Sequence, residues 1–147
     1  MDYDELLNTS TDVAFALLES GAEIYRVEEA IHRIFRAYGV EQGAVFAIPT
    51  LLILSVQDDK GHPLTEIRRL GNHGSDLAKV DAYNNLCRQI CQERPSFEAI
   101  RRELARRVNL RNTPEIRFIV DQSIEYGVNI SRKIDEVTRG LNSDSEN

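Results

Sequence analysis

Six arginines crowd residues 101–117: Arg101, Arg102, Arg106, Arg107, Arg111 and Arg117. Guanidinium groups bind phosphate oxygens through pairs of parallel hydrogen bonds, so arginines at this density are candidate RNA contacts. Only Glu98, Glu103 and Glu115 oppose them, which leaves residues 97–117 at a net charge of +3. The competing reading is a solvated helix face, the commoner fate of one arginine-rich stretch.

Other residue types that could do chemistry are better explained structurally. Cys87 and Cys91 are one helical turn apart. That spacing disfavours a disulfide within a regular helix, and two ligands do not close a zinc site. His32, His62 and His73 are scattered, so core packing is the preferred account of both thiols. His73, Ser75 and Asp76 lie within four residues. A hydrolytic triad is assembled in space from separate elements, and a turn followed by a helix cap accounts for all three. Glu23, Arg26, Glu28 and Glu29 crowd a helix start, where Arg26 can pair with Glu23 or Glu29, and Glu29 with Arg33. The loop GNHGSD lacks the lysine of a phosphate-binding loop. No catalytic residue, metal or cofactor is expected.

Charge and hydropathy bound the rest. The chain has 147 residues and a net charge of -6, and residues 1–96 carry that whole imbalance, with 9 Lys+Arg against 15 Asp+Glu. An acidic front argues against nucleic-acid docking there. The longest apolar run, Ile48 to Val56, is broken by Pro49, Thr50 and Ser55 and falls short of the ~18–20 residues that span a bilayer. The acidic start MDYDELLN does not read as a signal peptide. A cytoplasmic protein with no membrane span of its own is expected.

Periodicity places these residues on elements. Residues 4–19 and 23–38 repeat apolar side chains at helical spacing, with Gly21 breaking the chain between them and Gly39 as a C-terminal cap. GAVFAI, LLILSVQ and TEIRRL read as strands, the last two as a hairpin around DDKGHP. A helix follows near Leu77, capped by Ser75 or Asp76, with Leu77, Val80, Tyr83 or Asn84, Cys87 and Cys91 on its stripe. Pro95 stops it, and Ser96 caps a helix with Phe97, Ile100, Leu104 and Val108 inward and Arg102 and Arg106 outward. EIRFIV (115–120) reads as a strand joining the same sheet, and a final helix includes Ile124, Ile130, Ile134 and Val137. The expected fold is α+β, a small, mostly antiparallel sheet covered by helices in the order α-α-β-β-β-α-α-β-α. It forms one composite domain over residues 1–140, followed by a disordered tail at 141–147.

Two resemblances cover different parts of the chain. ESGAEIYRVEEAI (19–31), IPTLLILSV (48–56) and RRLGNHGSDLAKVDAYNNLCRQI (68–90) resemble the N-terminal cytosolic domain of the threonine/serine exporter family, over about residues 4–105. The shared pattern is Gly21, Glu23, Arg26, Val27 and Glu28, then Pro49 and Thr50, then Arg69, Asp76, Leu77, Val80, Asn84 and Leu86. Residues 101–137 instead resemble the C-terminal part of ribosome-binding factor A. Glu103, Leu104, Leu110, Arg111, Thr113-Pro114-Glu115, Arg117-Phe118, Asp121, Ser123-Ile124, Gly127, Ile130 and Ser131 carry this likeness. That family is KH-like and helps mature the small ribosomal subunit. Its first helix and long hairpin find no counterpart in residues 1–96, and Phe97-Glu98-Ala99 stands where its helix kink belongs.

Together the resemblances imply a chimera with its seam at residues 101–107; a natural fusion, an engineered recombinant and a sequence-assembly error all fit. The expected function is that of a soluble, non-enzymatic, exporter-like module that performs no transport by itself. A membrane exporter domain acting in trans is the partner this implies. The alternative is an RNA-binding maturation factor, with ribosomal RNA or the small ribosomal subunit as partner.

Overall fold

The chain opens with a helix because Asp2 can cap it and few of the following side chains demand water. In the computed structural model, which describes residues 1–71, 73–109 and 130–136, this is α1 (Tyr3–Glu19). The Asp2 carboxylate accepts the Glu5 N–H at 3.0 Å. Ten of the 17 residues of α1 are buried, among them Thr9, Ser10 and Thr11 beside the leucines. Burial of this extent needs neighbours on several sides, and α1 touches two strands and three other helices.

A glycine in a left-handed conformation ends α1. Gly21 has φ +95°, its N–H donates to Leu18 O at 3.0 Å, and the Ala22 N–H donates to Leu17 O at 3.0 Å. This paired closure satisfies carbonyls that the helix end would otherwise orphan. The next helix, α2 (Ile24–Ala37), buries Val27, Ile31, Ile34 and Phe35 and closes the same way at Gly39.

Three strands follow: β1 (Gly43–Ile48), β2 (Leu51–Gln57) and β3 (Pro63–Arg69). They form an antiparallel sheet in the order β1-β2-β3, with Phe46 opposite Ile53 and Ile53 opposite Ile67. Alternation sends Leu52, Leu54 and Val56 toward α1, while Phe46 and Ile67 on the other face are 55% and 62% exposed. Gly43 is needed at the start of β1, because a Cβ there would lie 2.3 Å from the Phe35 ring.

The last two elements of this unit are α3 (Leu77–Glu93) and α4 (Phe97–Asn109), which pack on α1 and on each other, and α3 also reaches α2. Asp76 is the cap of α3, accepting from the Ala78 and Lys79 amides at 3.1 Å. Ser96 Oγ accepts the Ala99 N–H at 3.3 Å at the start of α4. Helix α4 runs unbroken through residues 101–107, with Ile100 and Leu104 buried on one stripe. Leu77, expected on the inner stripe of α3, is 80% exposed; as the first helical residue it lies beyond the layer that Tyr83, Leu86, Cys87 and Ile90 fill.

The fold is thus α+β, with the described elements in the expected order. Two units divide the chain, Met1–Thr113 and Pro114–Asn147. In the second, residues 130–136 are helical, with Ile130 and Ile134 exposed. The expected strand at 115–120 and tail at 141–147 lie outside the described residues. The reading of 1–140 as one domain depends on residues that do as well.

Replacing Gly21 with alanine tests the corner between α1 and α2. The positive φ alone costs about 1–3 kcal/mol for a residue with a side chain, and the new Cβ would sit 2.5 Å from Gly74 O. Gly21→Ala should therefore lower the urea midpoint clearly; an unchanged midpoint would contradict this geometry.

Candidate functional site

The family-pattern residues come from segments far apart in sequence, and the Gly21 corner brings several of them together. The loop before α3 is laced onto the end of α1: the Gly74 N–H donates to Glu19 O at 2.8 Å and the Asp76 N–H to Ser20 O at 3.0 Å. A Cβ on Gly74 would be 3.0 Å from Glu19 O, so both glycines serve close backbone approach. Beside this junction lies an open cleft of about 720 Å³, lined by Gly21, Glu23, Glu28, Pro49 and His73 with apolar wall from Leu18 and Ile24. Apolar walls with a few polar groups are the usual make-up of a small-ligand site.

Those polar groups are partly committed. Glu28 accepts the Ala47 N–H of edge strand β1 at 3.0 Å, so one of its oxygens holds the sheet to α2. Glu23 pairs with Arg26 at 3.0 Å in an exposed contact. His73 Nδ1 lies 3.5 Å from Leu18 O. Thr50 acts through its backbone, its carbonyl accepting the Leu70 N–H at 3.0 Å where β3 ends. His73 is the member that sequence reasoning left in a turn; the signal was its place inside the GNHGSD motif. Arg26 and Asn84 line a second cleft on the other side of α2, against α3.

The arginines of α4 separate into two pairs. Arg101 reaches α1, donating to Glu5 Oε1 at 2.8 Å. Arg107 is the most enclosed; it bonds Glu103 at 2.8 Å, Gln89 at 3.0 Å and the Ala82 carbonyl, and so ties α4 to α3. Arg102 and Arg106 face outward, paired with Glu98 at 2.8 Å and Glu103 at 3.2 Å. Exposed pairs of this kind are worth little and yield readily to a phosphate. Arg111 and Arg117 lie outside the described residues.

Thiol chemistry finds little support. Burial pushes the Cys87 thiol up to about 12, and burial also raises Cys91, although Arg33 nearby opposes the shift. Neutral thiols are poor nucleophiles and poor ligands. Among the described residues no group of three or more His, Cys, Asp or Glu is placed to hold a metal.

An α+β scaffold with a ligand-sized cleft built from spaced motifs is the setting in which the comparisons with known proteins fall. The family model "Putative threonine/serine exporter" matches residues 9–119, about three quarters of the chain. The chain belongs to the threonine/serine exporter family. The match runs on to residue 119, past the limit of 105 that the motifs suggested.

Curated relatives show the other likeness. The chain is 82% identical over 39 residues to ribosome-binding factor A of Lachnospira eligens, covering 26% of this chain and 30% of that protein. It is 69% identical over 45 residues to that of Agathobacter rectalis, covering 31% and 37%. With the Clostridium kluyveri protein it shares 38% over 74 residues, 50% of this chain and 55% of the relative. The chain thus spans about a third to a half of the length of these relatives. No solved structure matches it. Both parts of the expected chimera are therefore present: an exporter-family body and a segment similar to ribosome-binding factor A.

The two arginine pairs should respond differently to substitution. Arg107→Ala removes charged hydrogen bonds from a mostly enclosed site and should cost about 1.5–3 kcal/mol in urea unfolding. Arg102→Ala should stay within about 0.5 kcal/mol. Acid titration gives a second readout. Hydrogen bonding from Arg107, opposed in part by burial, holds the Glu103 carboxyl below its ordinary 4.5. A depressed folded pKa adds stability above 4.5 that is lost as pH falls through the folded value. Arg107→Ala should flatten that part of the stability–pH curve, and an unaltered curve would count against the pairing.

Proposed function

We propose that the exporter-family body is a non-enzymatic, cytoplasmic recognition module that works with a membrane exporter domain in trans and moves no solute by itself. The observation that carries this reading is the convergence of Gly21, Glu23, Glu28 and Pro49, from two separate motifs, on one cleft with His73. Convergence around a hollow suits binding. The polar groups there are spent on holding backbone and neighbours, as Glu28 does with Ala47. Transport requires a path through the bilayer, and among the described residues no helix is long and apolar enough to cross a membrane. Threonine-loaded vesicles test the proposal. The chain alone should release no threonine, whereas vesicles holding an exporter membrane domain should change their efflux rate when it is added. Release by the chain alone, or no effect on the membrane domain, would overturn it.

A second reading has its own support in the relatives named ribosome-binding factor A. In it the outward pair Arg102 and Arg106, with Arg111 and Arg117, contacts RNA of the small ribosomal subunit, while Arg101 and Arg107 tie α4 to α1 and α3. Binding to a small-subunit RNA fragment should then weaken steeply with salt. Arg102→Ala with Arg106→Ala should reduce the salt slope by about 2, roughly one for each phosphate no longer neutralised. An unchanged slope, or no binding at low salt, would remove this reading.

A further inference from the structure

The second cleft, between α2 and α3, has a composition at odds with the acidic residues 1–96 that build it. It encloses about 460 Å³ and is lined by Arg26 and Arg33 from α2 and by Arg88 and Asn84 from α3. Three guanidiniums around one hollow repel each other, and a chain of net charge -6 had acidic residues in plenty to dilute them. The lining carries one carboxylate, Glu29, which pairs with Arg33, and Glu23 just outside it pairs with Arg26. Arg88 bonds the neutral amide of Asn85 instead of a carboxylate. Three positive charges therefore meet two negative ones at this cleft.

The placement is ordered as well as charged. Arg26 and Arg33 are two helical turns apart on one face of α2, with Ala30 between them. Small Ala30 and buried Cys87 form part of the floor and leave the hollow open. Arg26 is steadied by Tyr25, whose hydroxyl accepts its Nε–H at 3.1 Å. Donors dominate: three guanidiniums, the primary amides of Asn84 and Gln92 and the Tyr25 hydroxyl face a single carboxylate, Glu29. Such a lining favours a ligand rich in acceptors. The volume falls within the range of small-molecule pockets, roughly 300–1,000 Å³.

We propose that the α2–α3 cleft is a binding site for a small polyanion, held by Arg26, Arg33 and Arg88 with Asn84 supplying a neutral donor. Its charged groups are phosphates or carboxylates, since both match the guanidinium fork. The site is separate from the cleft at Pro49 and His73, and the proposal stands whichever function holds for the body.

Pyrophosphate and citrate serve as probes of the two sources of charge. Each is titrated into the full 15N-labelled chain at constant ionic strength, following backbone amide shifts. Saturable shifts centred on Ala30, Asn84 and Arg88 are expected with at least one probe, and the tighter one identifies phosphate or carboxylate as the preferred group. Arg33→Gln and Arg88→Gln should each weaken binding about tenfold, the worth of one charged hydrogen bond. Arg36→Gln, which removes the same charge from an exposed position outside the cleft, should stay within about twofold. These side chains are peripheral to the core, and an unchanged amide dispersion confirms that each variant folds. Failure of both probes to saturate by about 10 mM, or equal weakening by Arg36→Gln, would overturn the proposal.

Discussion

Everything in the first unit depends on the burial of α1 from several sides at once. It lies against β2 and β3, and α2, α3 and α4 pack around the remainder. Each fully buried leucine contributes about 1.5–3 kcal/mol, and Leu6, Leu17 and Leu18 are all 1–2% exposed. A helix enclosed this way must keep some side chains small, which explains why Thr9, Ser10 and Thr11 sit in its interior stretch. Thr11 meets the polar cost by donating to Leu7 O at 2.8 Å. Ser10 Oγ has no partner among the described residues, a local cost accepted for close packing.

The enclosure of α1 also dictates where the clefts lie. Its C-terminal end must turn sharply at Gly21, and the loop before α3 then has backbone groups of Glu19 and Ser20 to bind. The 720 Å³ hollow opens beside that junction. Helix α2, anchored in the core by Val27, Ile31 and Phe35, presents its two flanks to different neighbours. One flank faces Pro49 and His73, the other faces α3. Two clefts of different character thus arise from one amphipathic helix, the first largely apolar and the second rich in arginine.

Helix α4 shows how one side-chain type serves different ends. Its register keeps Ile100 and Leu104 inward through residues 101–107, so wording shared between two families remains one continuous element. Arg101 and Arg107 flank that stripe and reach neighbouring helices, whereas Arg102 and Arg106 project away and pair with local glutamates. Electrostatic density in the sequence is therefore not the same quantity as charge presented to a partner.

Local physics made much of this legible in the sequence. The helical period of residues 24–37, the strand alternation of residues 43–69, the glycine stops at 21 and 39 and the caps at Asp76 and Ser96 all follow from interactions within a few residues. Those determined the α+β order of the described elements and narrowed the partner of Arg26 to Glu23 or Glu29, of which the fold uses Glu23. The sequence alone could not say that Leu77 stays in water, that Glu28 holds β1, or that Arg107 serves α3. Nor could it bring His73 to Pro49, or Arg88 to Arg33. Each of those depends on which elements become neighbours, and that is decided by burying α1 on several sides, through contacts between residues tens of positions apart.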